Sequence, residues 1–250
     1  MPIDPPKTRL RLFDSLRGFS VLSMVAFHLC YDLKYIAGYS LTWFGPPLQD
    51  IWRASISWTF LFVAGVMCSQ SKNNLRRAVE YGLVALAILI VTSIAAVDTP
   101  ISFGIMYCIF ACTLVAWMLQ RLGCLPASPV SCAVFLMLFL FCTPLSSGYV
   151  GLGVLRIQLP NALFQTPWLS WLGFPGPGFY SGDYYPLLPY LFMYLCGASF
   201  GMWRKTVGFP KACYELGCMP LEFVGRHALP IYVAHQPVIL ALIYVCGGLT

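Results

Sequence analysis

The sequence predicts an all-α, polytopic integral membrane protein: a helical bundle of about seven transmembrane helices, with a cytoplasmic N-terminus and a C-terminus outside. Of the 250 residues, 59% are hydrophobic and 10% are charged, whereas a soluble domain carries about 25% charged residues. The apolar residues also form blocks close to the roughly 20 residues that a helix needs to cross a bilayer. This composition excludes a disordered chain, an ordinary soluble enzyme and a nucleic-acid-binding domain, and we expect residues 1–250 to form a single transmembrane domain.

Seven segments are candidates for membrane spans. The fifth is the weakest, because Pro129 lies near its start and Pro144 ends it, although proline is tolerated in the first turn of a helix. The long stretch 145–185 separates the fifth and sixth spans and is rich in glycine, proline and aromatic residues. We expect it to fold back as a cap on the outer face or to form an aromatic belt at the headgroups. The candidate spans cover residues 12–37, 54–71, 75–97, 101–120, 127–144, 186–203 and 226–248.

The distribution of cations predicts the orientation, because cytoplasmic segments of membrane proteins carry an excess of Lys and Arg. With the N-terminus inside, only Lys34, Arg53 and Arg156 fall in outside loops. This partition supports an odd number of spans and a protein of the cytoplasmic (cell) membrane. The cations on the inside are Lys7, Arg9, Arg11, Arg17, Lys72, Arg76, Arg77, Arg121, Arg204, Lys205, Lys211 and Arg226.

The cysteines do not indicate a metal site. Eleven are present, mostly inside the predicted spans, and they form no CxxC pair and no Cys/His cluster at zinc spacing. We interpret them as small apolar packing residues and predict that no metal is bound.

Four ionisable residues form a polar stripe along the first span. At about 100° per residue, Arg17 lies roughly 60° from Asp14, His28 roughly 40° from it and Asp32 near 0°. The stripe therefore occupies one face over about 27 Å of helix axis. Charged groups at membrane depth are costly and indicate function by default, so we expect this face to line the interior of the bundle.

Each end of the stripe has two interpretations. Asp14 and Arg17, at i and i+3, form either an intrahelical ion pair or a site where Arg17 contacts a phosphate of a cytoplasmic ligand. His28 and Asp32, at i and i+4, form either a buried polar pair that joins two helices or a general base. In the second case the carboxylate fixes the tautomer of the imidazole and raises its basicity.

Further candidates lie in and before the last two spans. His235 is near the midplane of the last span, beside Gln236 and a helix-breaking proline, and serves either a site or helix packing. Asp183 and Tyr184 precede the sixth span. An acid at this position either binds an amino or hydroxyl group of a substrate or caps the helix that follows. Arg226 adds a cation at the start of the last span.

Several of these residues belong to stretches that resemble membrane acyltransferases. The resemblance is to the catalytic-domain family of heparan-α-glucosaminide N-acetyltransferase, specifically its small bacterial members. It extends in order over nearly the whole chain. The matching stretches are RLRLFDSLRG at 9–18 with Met24 and His28, FLFVAG at 60–65, ISFGI at 101–105, DYYPLLP at 183–189, and GRHALPIY at 225–232 with HQP at 235–237.

The resemblance implies an enzyme that takes acetyl-CoA on the cytoplasmic side and acetylates an amine or hydroxyl of a sugar or glycan on the outer side. It also implies a central histidine in the first non-cytoplasmic loop. Residues 39–53 contain none, so His28 is the nearest candidate. The transfer proceeds either by direct attack or through an acetyl-histidine. The expected roles are catalysis for His28, Asp32 and His235, donor binding for Arg17, Asp14 and Arg226, and acceptor binding for Asp183, Tyr184 and Gln236.

Two other classes of function fit parts of the pattern. A transporter of a small polar solute would also need a polar stripe and a broken helix, although it usually shows internal repeats, and none is evident. A non-catalytic membrane scaffold would use the same polar residues only to pack helices. The expected partners are the lipid bilayer, the acyl-CoA donor and the acceptor, with a homodimer left open.

Overall fold

The computed structural model describes residues 9–96 and 98–247. Three positions of the sequence predictions lie outside the described residues. They are Lys7 in the first inside segment, and Val97 and residue 248 at the ends of two predicted spans. The chain divides into two compact units. Unit 1 comprises Met1–Phe60 and Phe209–Thr250, and unit 2 comprises Leu61–Gly208.

Most of the described chain is helical, as the composition predicts. A π-helix, Asp32–Ile36, continues the first α-helix without a break. The α-helices are α1 (Arg11–Tyr31), α2 (Leu48–Gln70), α3 (Asn74–Ala95), α4 (Ile105–Arg121), α5 (Pro129–Cys142), α6 (Leu187–Val207), α7 (Ala212–Glu215), α8 (Met219–Arg226) and α9 (Ala228–Val245).

Five helical segments among the described residues are long and apolar enough to cross a membrane, which confirms the prediction of a helical membrane protein. Helix α4 is apolar but has only 17 residues, and α6 is not among the five. The count of seven spans and their orientation therefore remain predictions. The five segments are Arg11–Ile36, Leu48–Gln70, Asn74–Ala95, Pro129–Ser147 and Ala228–Val245.

Unit 1 depends on a close crossing of α1 and α8. A Cβ atom on Gly18 would overlap the carbonyl of Leu221, and a Cβ atom on Gly225 would overlap the carbonyl of Asp14. Within a membrane, lipid supplies no hydrophobic force between helices, and small residues let two backbones approach closely. Glycine at both positions therefore permits a contact that any larger residue would prevent.

Helix α9 continues from α8 and contacts the second half of α1. Gly18 lies against Gly225, and ten residues further along each segment His28 lies against His235. The α8–α9 segment therefore runs parallel to α1, and the crossing determines which side chains meet further along the helices.

Unit 2 uses the same principle where the end of α2 crosses α6. A Cβ atom on Gly65 would overlap the carbonyl of Tyr194, and a Cβ atom on Gly197 would overlap that of Phe62. Tyr194 is fully buried, and its hydroxyl is 2.9 Å from the hydroxyl of Thr113, which joins α6 to α4.

The segment 145–185 contains a β-hairpin that the all-α prediction did not anticipate. Strands β1 (Tyr149–Leu152) and β2 (Leu155–Gln158) pair antiparallel. The segment then packs back onto unit 2, where the backbone N–H of Leu187 donates to the carbonyl of Trp171 at 2.9 Å. The rings of Phe179 and Phe103 stack with centroids 5.8 Å apart, so aromatic contacts hold the segment against the start of α4.

Replacement of Gly18 by alanine tests the crossing in unit 1. Alanine favours a helix over glycine by about 0.5–1 kcal/mol, but overlap with a backbone carbonyl costs about 1–3 kcal/mol. We expect Gly18→Ala to lower the thermal unfolding temperature of the detergent-solubilised protein. Gly45→Ala is the control, because the nearest atom to a new Cβ there is the Lys34 Nζ at 3.7 Å, an ordinary contact. A Gly18→Ala protein as stable as the control would contradict the crossing.

Candidate functional site in unit 1

Two of the three histidines meet inside unit 1. The rings of His28 on α1 and His235 on α9 have centroids 4.9 Å apart and are tilted by 58°. The edge of the His28 ring also contacts Phe27, with centroids 5.9 Å apart. The sequence placed His28 on the polar face of the first span and His235 near the midplane of the last, but only the fold brings the two together.

One nitrogen of His235 is positioned to accept a proton. Its Nδ1 donates a hydrogen bond to the carbonyl of Tyr232 at 2.5 Å. Because a carbonyl only accepts, this bond assigns the hydrogen to Nδ1 and leaves a lone pair on Nε2. That Nε2 is buried and has no hydrogen-bond partner among the described residues. The tautomer is the one that a general base requires.

A buried carboxylate lies next to the histidine pair along the helices. Asp32 is 0% exposed and accepts a hydrogen bond from Nε2 of Gln236 at 2.8 Å. A charge in an apolar environment is costly unless it is hydrogen-bonded, so Gln236 both stabilises the carboxylate and aligns α9 with α1. Asp32 also begins the π-helix, and its carbonyl accepts from the N–H of Ala37 at 2.8 Å. π-Helical turns are rare in proteins overall, but those that occur are frequently found at functional sites.

The other end of the polar stripe is a network of ion pairs. Asp14 is 3% exposed, and it pairs with Nη2 of Arg17 and with Nε of Arg9, each at 2.5 Å. Nε of Arg17 also donates to the carbonyl of Gly225 at 2.6 Å. The structure thus contains the intrahelical ion pair that was one interpretation of Asp14 and Arg17, and Arg17 additionally ties α1 to α8.

Further cations surround this end of unit 1. Arg226 is exposed, and its Nε donates to the carbonyl of Glu222 at 3.2 Å. The buried carboxylate of Glu222 pairs with Arg11 at 3.0 Å. The side chains of Arg9 and Arg11 are 56% and 39% exposed. The sequence did not predict the pairing of Arg11 with Glu222, because no local pattern relates residues 211 positions apart.

Asp183 and Tyr184 belong to unit 2. Oδ2 of Asp183 accepts from the backbone N–H of Ile105 at 3.3 Å, so the carboxylate caps the start of α4. The sequence had instead suggested that Asp183 caps α6, the helix that follows it in the chain. Tyr184 donates from its hydroxyl to the carbonyl of Ser170 at 2.6 Å, and burial raises its pKa to about 12. Asp183 thus attaches the 145–185 segment to α4, and Tyr184 joins two parts of that segment. Their role in acceptor binding remains a prediction.

Within the described residues, no group of three or more His, Cys, Asp or Glu side chains is arranged to hold a metal ion.

The helices and this site define a polytopic membrane protein with a histidine pair and a buried carboxylate in its membrane-spanning part. A family profile described as heparan-alpha-glucosaminide N-acetyltransferase, catalytic, matches residues 9–237, and the chain belongs to this family. The resemblance found in the sequence is thereby confirmed, and the protein is a member of a family of membrane acetyltransferases. Comparisons with curated proteins and with solved structures gave no match.

Replacement of Gln236 by leucine tests the contact with Asp32. The variant removes a donor from a buried carboxylate, which costs about 1–3 kcal/mol, so we expect a lower unfolding temperature in detergent. Gln165→Leu, at an exposed position, is the matched control and should unfold like the wild type. Replacing Asp32 and Gln236 together by leucine should restore part of the loss, because no unmet acceptor remains. Equal stability of Gln236→Leu and the control would contradict the contact.

Tyr184 gives a pH dependence outside the spans. Its folded pKa of about 12 lies above the ordinary value of 10, so the folded protein retains the proton over a range where the unfolded chain has lost it. Its contribution to stability is therefore complete below pH 10 and declines as pH rises toward 12. We expect the difference in unfolding temperature between wild type and Tyr184→Phe to narrow from pH 9 to pH 11. A constant difference across that range would contradict the assignment.

Proposed function

We propose that the protein transfers an acetyl group from acetyl-CoA, on the cytoplasmic side of the cell membrane, to an amine or hydroxyl of a sugar-like acceptor on the outer side. In this proposal the chain is one transmembrane domain with seven spans, a cytoplasmic N-terminus and an outside C-terminus. The observation that carries the proposal is the contact of His28 with His235 in a member of a membrane acetyltransferase family. A transfer across the membrane requires a proton acceptor at membrane depth, and this pair supplies one.

The chemistry assigned to the pair is general base catalysis. Nε2 of His235 takes the proton of the acceptor amine or hydroxyl as the acceptor atom attacks the thioester carbonyl. A C–N or C–O bond forms, the C–S bond breaks, and the proton passes from the imidazolium to the departing thiolate of coenzyme A. The tautomer of His235 with its hydrogen on Nδ1, bonded to the Tyr232 carbonyl, supports this assignment. General base catalysis contributes about 10²–10⁴-fold to a rate.

Asp32 stabilises the charge that develops on His235 in this mechanism, and His28 packs against the ring of His235. A positive charge develops on the imidazole during transfer, and a nearby fixed carboxylate stabilises it without having to reorganise. Gln236 holds Asp32 in place. In a second mechanism one imidazole attacks the thioester first, the C–S bond breaks, and the acetyl-histidine then passes its acetyl group to the acceptor.

Donor binding is assigned to the cationic end of unit 1. Arg226 and Arg17 contact the phosphates of coenzyme A, and Asp14 orients Arg17 through the ion pair at 2.5 Å. Arg17 and His28 are eleven residues apart on one helix, a rise of about 16 Å, so the acyl end of an extended pantetheine arm reaches toward the histidine. Arginine suits this role because its planar fork matches phosphate oxygens.

Gln236 is assigned a role in acceptor binding, and the same role is assigned separately to Asp183 and Tyr184. An acidic side chain attracts an amine, and amide and phenol groups exchange hydrogen bonds with the hydroxyls of a sugar. These assignments specify polar recognition of the acceptor and leave its identity to an acceptor screen.

Removal of each histidine tests the proposal. We expect His28→Ala and His235→Ala to lower acetyl transfer from acetyl-CoA to glucosamine or another screened amino sugar by about 10²–10⁴-fold, while acetyl-CoA binding by calorimetry stays within a few-fold. His227→Ala is the matched control, because the third histidine is exposed and bonds only locally to the Phe223 carbonyl. Failure of the wild type to bind any acyl-CoA, or full transfer by both variants, would refute the proposal.

The same variants separate the two mechanisms. If acetyl-histidine forms, a quenched reaction without acceptor carries an added acetyl group on the peptide of the attacking histidine, detected by mass spectrometry, and the corresponding alanine variant does not. Direct attack leaves all three histidine peptides unmodified while transfer proceeds once the acceptor is added.

A further inference from the structure

Unit 2 contains a cavity of about 480 Å³ where the turn between α2 and α3 meets the end of α4. Its volume falls in the range of small-molecule sites, roughly 300–1,000 Å³. None of the residues assigned to acyl transfer lines it. The lining includes Lys72, Asn73, Asn74, Trp117, Gln120 and Arg121.

The wall of this cavity carries two cations without carboxylate partners. Lys72 and Arg121 are exposed, and no ion pair joins either of them to an acid in the part of the chain that the structure describes. Arg121 lies over the ring of Trp117, with its Cζ 5.9 Å from the ring centroid. The two charges therefore remain available to an anion.

The acids of unit 2 lie away from the cavity or are already paired. Glu80 is paired with Arg76 at 2.9 Å. Asp98 follows the far end of α3, and Asp183 caps the start of α4, whereas the cavity lies at the end of α4. No carboxylate lines the cavity, so both charged side chains of its lining, Lys72 and Arg121, are positive.

The backbone adds to this positive charge. Helix α3 begins at Asn74, and the N-cap side chain of Asn73 accepts from the N–H of Arg76 at 2.9 Å. The other N–H groups of the first turn have no partner within the helix, and the positive end of the helix dipole favours an anion there. Nδ2 of Asn74 donates to the carbonyl of Cys68 at 2.8 Å and to Gln120 at 3.2 Å, which keeps the wall rigid.

A third positive charge lies behind the wall. The guanidinium of Arg77 donates from Nη1 to Asn74 at 3.5 Å and to the carbonyl of Met67 at 3.3 Å, and from Nη2 to the hydroxyl of Tyr81 at 3.1 Å. All three partners are neutral, so this charge is not cancelled within the wall and reinforces the attraction for an anion in the cavity.

We propose that this cavity binds the phosphate end of a ligand, with Lys72 and Arg121 contacting the phosphate oxygens beside the start of α3. The volume exceeds that of a single phosphate group, so the ligand carries a nucleoside or a lipid glycerol next to the phosphate. The proposal concerns unit 2 alone and is independent of the acetyl transfer assigned to unit 1.

The test measures binding of two probes to the purified full-length protein in a non-ionic detergent. Guanosine 5′-monophosphate, which is not a part of coenzyme A, represents a nucleotide, and short-chain phosphatidylglycerol represents a lipid headgroup. We expect at least one probe to bind by calorimetry and to bind more weakly as salt rises. The double variant Lys72→Gln/Arg121→Gln should weaken that binding by about tenfold or more.

Arg156→Gln is the matched control, because it removes one exposed cation of unit 2 on strand β2, outside the cavity. It should leave binding unchanged. If the double variant unfolds early, the single variant Lys72→Gln, at an exposed turn position, replaces it, and Lys72→Arg should retain binding. Preference for the nucleotide identifies a nucleotide ligand, and preference for the lipid identifies a headgroup site. Absence of binding by the wild type, or equal binding by the double variant, would overturn the proposal.

Discussion

The contact of Gly18 with Gly225 is the constraint on which the rest of unit 1 depends. It lets α1 and α8 touch through their backbones, and α9, which follows α8 after a single residue, continues alongside the second half of α1. Ten residues beyond the glycines on each segment, His28 meets His235. A wider crossing would separate the imidazoles as well as the helices. Arg17 reinforces the crossing through its bond to the carbonyl of Gly225.

Polar side chains on either side of the histidine pair join α1 to α8 and to α9. Asp14 with its arginines lies near the crossing, and Asp32 with Gln236 lies beyond the histidine pair. In an apolar environment each carboxylate is tolerable only because a donor meets it. The structural and the functional interpretations of these residues are therefore compatible, since the carboxyl group that Gln236 holds lies one helical turn beyond His28.

The sequence predicted much of the fold and part of the site, for identifiable reasons. Long apolar blocks predict membrane-spanning helices because a span must satisfy its own backbone within one segment, and five helical segments of the described chain are long and apolar enough to be such spans. The hairpin formed by β1 and β2 escaped prediction, because pairing between short strands in an aromatic loop leaves little periodicity. The polar face of α1 was predictable from helical angles, whereas the cap that Asp183 places on α4 depends on a contact 78 positions away.

By itself the sequence determined the membrane class, the polar stripe on α1 and the membership of an acetyltransferase family, because composition, helical period and family motifs are all properties of local sequence. The tertiary structure alone decided that His28 faces His235, that Gln236 serves Asp32 and that Arg11 pairs with Glu222. These pairs join residues more than 200 positions apart. Their proximity follows from how closely two helix backbones approach, and that distance depends on packing across the whole unit.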